Sequence, residues 1–129
     1  MSYPIEDWFS AFVFTQLVEV PVYVVAMRHA QRTGWSARPR GLHLQVPLAF
    51  GATLITHPAV WYLIPNVASP HRSYVEYVLV AEGWAVVVEA FYFYSCHVAW
   101  LRRAFVWSLL ANALSAGLGA VSRYYTGWP

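Results

Sequence analysis

Four long apolar runs dominate the chain, and each is interrupted by a few polar residues at helical intervals. Every run approaches the roughly 20 residues that a helix needs to cross a hydrocarbon core of about 30 Å. Because a β-barrel would show short alternating segments instead, these runs predict helices. The predicted spans are residues 8–27, 44–64, 74–94 and 104–124. We therefore predict an all-α polytopic membrane protein, in which residues 1–129 form a single integral membrane domain built as a four-transmembrane-helix bundle.

Polar and small residues form one stripe on each predicted helix. They recur at spacings of three, four or seven residues, and side chains at these spacings share a helix face. The four stripes should therefore meet in the bundle interior, while the other faces contact lipid. The stripes are Thr15, Gln16, Glu19 and Tyr23; Thr53, Thr56, His57 and Trp61; Glu82 and Glu89; and Ser108, Asn112, Ser115, Gly119 and Ser122.

The composition supports a membrane location. Of the 129 residues, 59% are hydrophobic and only 11% are charged, whereas soluble domains carry roughly 25% charged residues. The lipid bilayer is therefore the first partner that we expect. No nucleic-acid partner is expected, because the arginines lie in short connecting segments and form no basic face. The N-terminus lacks a positively charged leader, so the first apolar run is interpreted as a retained span.

The arginines predict the topology. Residues 28–43 and 95–103 hold six of the eight arginines, and the opposite side holds only Arg72 and Arg123. Loops rich in arginine face the cytoplasm. We therefore expect both arginine-rich loops in the cytoplasm, both termini outside, and the chain in the plasma (cytoplasmic) membrane, which is the inner membrane of a bacterium.

Depth along the spans suggests which polar residues meet. Counted from the outer boundary at 1.5 Å per residue, His57 and Glu82 lie at about 10 to 12 Å, Glu19 and Asn112 at about 17 Å, and Glu89 at about 22 Å. We therefore expect His57 to meet Glu82 and Glu19 to meet Asn112. Glu89 should lie nearer the cytoplasm.

The three intramembrane glutamates carry the functional hypothesis. A carboxylate in hydrocarbon costs at least about 2.5 to 3.5 kcal/mol, and no arginine or lysine lies at the depth of Glu19, Glu82 or Glu89. A proton, the imidazole of His57, a metal ion or water in a cavity remain as means of neutralising them. Purely structural hydrogen bonding between helices is the competing interpretation.

The leading hypothesis is a transporter-like protein that handles protons or cations. Titrating side chains inside a membrane form proton relays in pumps and exchangers. Four helices enclose little volume, so we expect a homo-oligomer or another membrane protein as partner. The predicted proton- or cation-binding residues are Glu19, His57, Glu82, Glu89 and Asn112, with Gln16, Thr56, Pro58 and Ser115 in support.

Two other functions stay open. His57 with carboxylates from Glu19, Glu82 and Glu89 is a ligand set that suits a divalent metal such as Zn, Mn or Fe. Such a metal, or a water activated by glutamate, would make the chain an intramembrane enzyme acting on a lipid or a peptide. Alternatively, the chain is a non-catalytic subunit or an assembly factor of a larger membrane complex. The sequence does not decide whether the protein is an enzyme.

Overall fold

The computed structural model describes residues 5–34 and 41–129, and within them it is helical. The helices are α1 (Ile5–Arg32), α2 (Leu42–Tyr62), the short α3 (Ile64–Val67), α4 (Tyr74–Ser95) and α5 (Leu101–Thr126). Counting α2 and α3 as one stretch, the described residues contain 4 helices that are long and apolar enough to cross a membrane. The predicted all-α class and its four helices are confirmed. Arg38 and Arg40 of the predicted cytoplasmic loop lie outside the described residues.

Capping residues and helix-ending residues mark several of the helix boundaries. The Ser73 side chain accepts a hydrogen bond from the backbone N–H of Glu76 and so caps the start of α4, and Gly127 ends α5 in the left-handed conformation, which glycine adopts without strain. At both ends α1 extends beyond its predicted span, since Glu6 and Asp7 occupy its first turn and Arg32 its last. Those charges complement the helix dipole.

The four long helices form an antiparallel bundle. α1 packs against α2 and α5, and α4 packs against the same two helices. The Trp8 and Tyr62 rings lie 6.4 Å apart, so the start of α1 meets the end of α2, and the Tyr77 hydroxyl donates to the Val60 carbonyl 3.2 Å away, which joins the start of α4 to the end of α2.

This arrangement gives the bundle two distinct ends. At one end lie the end of α1 and the start of α5, which carry Arg28, Arg32, Arg102 and Arg103; we call it the arginine-rich end. At the other lie the turn from α2 to α4 and the end of α5; we call it the Arg123 end.

The helices approach closely because small residues face inward. Ala49 and Ala52 of α2 and Ala104 and Ala111 of α5 are fully buried. Leucine, valine and phenylalanine side chains instead cover the outside of the bundle. In lipid, helices associate through packing and interhelical hydrogen bonds rather than through the hydrophobic effect, and small residues permit both.

A leucine at Ala111 should therefore destabilise the bundle. Ala111 is 0% exposed, so three added carbons must displace neighbouring helices, which costs about 1 to 3 kcal/mol. Ala113, two residues along the same helix, is exposed, and Ala113→Leu is the matched control. Thermal unfolding in mild detergent, followed by circular dichroism, should show a lower midpoint for Ala111→Leu alone. Equal midpoints for the two variants would contradict this packing.

Candidate functional site

The Glu89 carboxylate is the centre of a buried hydrogen-bond network. Its Oε1 atom accepts a hydrogen bond from Thr56 Oγ1 at 2.9 Å. Its Oε2 atom accepts from Ser108 Oγ at 3.0 Å, from Asn112 Nδ2 at 2.6 Å and from the Tyr23 hydroxyl. These donors belong to α1, α2 and α5, so Glu89 of α4 joins all the long helices at one point.

Glu19 forms a second buried carboxylate site beside the first. Its Oε2 atom accepts from Thr53 Oγ1 at 2.6 Å and its Oε1 atom from Ser115 Oγ at 2.7 Å. Thr53 lies about one turn from Thr56 on α2, and Ser115 lies about one turn from Asn112 on α5. Glu19 and Glu89 are each 1% exposed, and their donors lie on neighbouring turns of the same two helices, α2 and α5. We call Glu19 and Glu89 the carboxylate pair.

Only neutral groups donate to the carboxylate pair in the described part of the chain. Their donors are five hydroxyl groups and one amide. A hydroxyl group both donates and accepts, and it rotates to suit its partner. The same side chains can therefore surround either a carboxylate, which only accepts, or a carboxylic acid, which also donates. The partners are Tyr23, Thr53, Thr56, Ser108, Asn112 and Ser115.

A small polar cavity lies beside the carboxylate pair. Its volume is about 150 Å³, and Thr53, Thr56 and Asn112 contribute both to its wall and to the hydrogen bonds described above. His57 and Glu82 line the same cavity. The His57 Nε2 and Glu82 Oε2 atoms are buried and find no hydrogen-bond partner within residues 5–34 and 41–129. We call this space the site cavity.

The pairing expected from depth is wrong in detail. His57 and Glu82 share the site cavity but form no hydrogen bond with each other, and the His57 ring packs against Phe12 at 5.3 Å and Trp8 at 6.0 Å. Asn112 meets Glu89 instead of Glu19. The structure therefore brings Glu89 and Asn112 into contact and leaves His57 and Glu82 at the cavity wall.

The predicted supporting residues divide into two groups. Thr56 and Ser115 donate directly to the carboxylate pair. Gln16 instead donates from Nε2 to the Phe50 carbonyl at 3.2 Å and so ties α1 to α2. Pro58 lies inside α2 next to His57, where a proline provides no N–H for the helix ladder.

The described residues contain no cluster of side chains that supports the metal hypothesis. Among the described residues, no three histidine, cysteine, aspartate or glutamate side chains come close enough to hold a metal ion. The Glu19 and Glu89 oxygens are bonded to hydroxyl and amide groups, while His57 packs among aromatic rings. The four residues proposed as ligands therefore do not form the set that a Zn, Mn or Fe site requires.

Tyr23, Thr53 and Ser108 donate hydrogen bonds to the carboxylate pair, and the site predicted from the sequence did not include them. All three lie on the predicted polar stripes: Tyr23 follows Glu19 by four residues, and Ser108 precedes Asn112 by four. Helical spacing from a predicted site residue of the same helix was thus the available signal.

Comparison with protein-family models, with curated proteins and with solved structures finds no match for this chain. The geometry of the site is what bears on its function. The site contains two buried acids, hydroxyl groups that can donate or accept hydrogen bonds, and a cavity lined by some of the side chains that donate to the acids.

Proposed function

We propose that this protein handles protons or a small cation within the membrane, as a transporter-like protein whose exchange site is the carboxylate pair. One observation carries the proposal: Glu19 and Glu89 are buried together and their hydrogen-bond donors are neutral hydroxyl and amide groups. A proton or a cation that joins the pair compensates its charge, and hydroxyl groups that rotate adapt to the change.

The energetics favour this function over a structural role. A hydrogen bond between membrane helices contributes about 0.6 kcal/mol on average, whereas a carboxylate inside the membrane costs at least about 2.5 kcal/mol. The serine, threonine and asparagine side chains at this contact link the helices through the two acids. Small apolar residues would let membrane helices pack together without the cost of a buried carboxylate. Two acids at one place therefore need a reason other than helix association.

We also propose an orientation for the bundle and the membrane in which it lies. The arginine-rich end faces the cytoplasm in accordance with the positive-inside rule, so the Arg123 end faces outward in the cytoplasmic membrane. The bundle encloses little space beside the pair, since the site cavity has a volume of about 150 Å³. The pathway therefore also needs a homo-oligomer or another membrane protein.

Proton flux in liposomes tests the proposed function. Purified protein is reconstituted with an internal pH dye, and a potassium diffusion potential drives proton entry. We expect flux well above that of empty liposomes, and a drop of about tenfold or more with Glu19→Gln, which keeps the side chain's size but cannot ionise. Repeating the assay with a sodium gradient or a potassium gradient as the driving force distinguishes a protein that transports protons from one that transports a metal cation.

Glu76→Gln is the matched control for this assay. Glu76 is exposed in the first turn of α4, so its loss should leave the flux unchanged. If Glu19→Gln conducts as well as Glu76→Gln for every ion tested, the carboxylate pair is not an exchange site.

A further inference from the structure

We propose that the carboxylate pair exchanges with water through Glu82 at the Arg123 end, while a layer of Tyr23, Met27, Phe93 and Trp107 closes the way to the arginine-rich end. We call these four residues the closed layer. This inference rests on the proposed function and deepens it, because it states from which side the site is loaded and which side chain loads it.

An open pocket leads from the Arg123 end toward the pair. Its volume is about 350 Å³, and α2, α4 and α5 supply its wall, which includes Tyr74, Tyr77 and Arg123. It shares three lining residues with the site cavity, namely Val60, Trp61 and Glu82. We call this space the entrance pocket.

Of the three shared residues, Glu82 alone can bind a proton or a cation. One side of Glu82 borders the entrance pocket and the other borders the site cavity, in which Thr53, Thr56 and Asn112 lead on to Glu19 and Glu89. Its Oε2 atom is buried without a hydrogen-bond partner in the described part of the chain. Glu82 is therefore the relay between the two spaces.

The site cavity has the size and polarity to hold water. At about 30 Å³ per molecule, a volume of about 150 Å³ has room for about five waters. Seven of its ten lining side chains are polar or aromatic with a polar group, including Thr15, His57 and Glu82. Water held there would serve the buried His57 Nε2 and Glu82 Oε2 atoms and connect Glu82 to the pair.

The opposite side of the pair is apolar and tightly packed. Tyr23 and Phe93 are 0% exposed and Met27 is 2% exposed. The Tyr23 and Phe93 rings lie 4.6 Å apart, and Trp107 lies 6.4 Å from Phe93. Beyond Trp107, a separate pocket lined by His29, Thr33 and Arg103 opens at the arginine-rich end. The closed layer thus stands between Glu89 and that pocket.

Three buried alanines on α4 allow a cysteine-labelling test of this route. Ala81 lines the entrance pocket, Ala85 lines the site cavity, and Ala90 lies in the core cluster that contains Tyr23 and Phe93. Each is replaced by cysteine in a Cys96→Ser background, since Cys96 is the one cysteine of the sequence and its thiol would compete for the probe. The probe is a charged, membrane-impermeant methanethiosulfonate, added to membrane vesicles of either sidedness.

Two exposed positions mark the ends of the bundle in the same assay. Ser69→Cys reports access at the Arg123 end and Thr33→Cys access at the arginine-rich end. We expect Ala81→Cys and Ala85→Cys to react only in vesicles in which Ser69→Cys reacts. Ala90→Cys should react at least tenfold more slowly than Ala85→Cys in both. Labelling of Ala85→Cys from the Thr33 side, or no labelling of it from either side, would overturn the inference.

Glu82→Gln separates a chemical role from a structural one. We expect it to lower the flux of reconstituted protein about tenfold while Ala85→Cys in the Glu82→Gln background labels at the original rate, because the route stays open and only the relay is lost. Unchanged flux in Glu82→Gln would reject the relay. The labelling pattern does not depend on flux: the expected pattern without any flux would reject the proposed function and retain the route.

Discussion

Replacing Glu89 with glutamine should abolish flux through the reconstituted protein without lowering its stability. Glutamine keeps the length and shape of the side chain, and the hydroxyl groups of Tyr23, Thr56 and Ser108 can turn to donate to its oxygen or accept from its nitrogen. What disappears is the ionisable group. Since burial of a carboxylate is costly, its removal should not destabilise the bundle.

The measurement combines two assays on the same preparation. Liposome flux should fall to the level of empty liposomes, and the midpoint of thermal unfolding in mild detergent should be equal to or above that of the wild type. Glu76→Gln, on the exposed surface of α4, should change neither value. A Glu89→Gln variant that still conducts would show that Glu89 only holds the helices together, whereas a variant that conducts nothing because it is unfolded would show that the carboxylate is needed for the fold.

The fold was predictable because hydropathy and helix geometry act locally. Twenty apolar residues in lipid have to satisfy their own backbone hydrogen bonds, which requires a helix. The stripe of Glu19 and Tyr23 and the stripe of Ser108, Asn112 and Ser115 both face the interior, as their spacing predicted. The helix ends were less predictable, because hydrogen bonding in α1 continues past its apolar stretch to Arg32.

The partners within the site were not predictable from depth alone. Side chains on a helix lean toward its N-terminus. Glu19 and Glu89 lie on helices that run from the Arg123 end, whereas Asn112 and Ser115 lie on α5, which runs toward it. Glu89 and Asn112 therefore lean toward each other and meet, although their predicted depths differ by about 5 Å. The same convergence brings Glu19 to Ser115.

The role of the hydroxyl groups was underestimated for a different reason. Serine and threonine are routine at membrane helix contacts, so the helical spacing of Thr53 and Ser108 did not distinguish donors to an acid from ordinary packing contacts. His57 is a nitrogen base on a predicted polar stripe, yet its ring packs against Phe12 and Trp8. The packing of the four helices around Glu89 determines which polar side chains donate to the acids and which ones line the site cavity.

Replacing Glu89 with leucine should be far more damaging than replacing it with glutamine. Leucine removes the acceptor of four donors. Thr56 and Asn112 also donate to backbone carbonyls, but Tyr23 and Ser108 are left mainly with each other. Of this pair, one hydroxyl group can donate to the other, and one is left without an acceptor. An orphaned buried polar group costs about 1 to 3 kcal/mol, so Glu89→Leu should unfold with a free energy about 1 to 3 kcal/mol lower than that of Glu89→Gln. Chemical denaturation in mixed micelles measures the difference.

The comparison with a second glutamate on the same helix decides whether the network causes this loss. Glu82 lies two turns before Glu89, and its buried Oε2 atom accepts no hydrogen bond from the described residues, so Glu82→Leu and Glu82→Gln should differ by less than about 1 kcal/mol.

Tyr23→Phe removes the donor that Glu89→Leu orphans. Because replacing both partners by apolar groups is nearly neutral, Glu89→Leu should cost less in the Tyr23→Phe background, by about 1 to 3 kcal/mol. Additive losses in this double-mutant cycle would mean that the hydroxyl group of Tyr23 does not stabilise the bundle through Glu89. The neutral donors would then not be what keeps the acid buried.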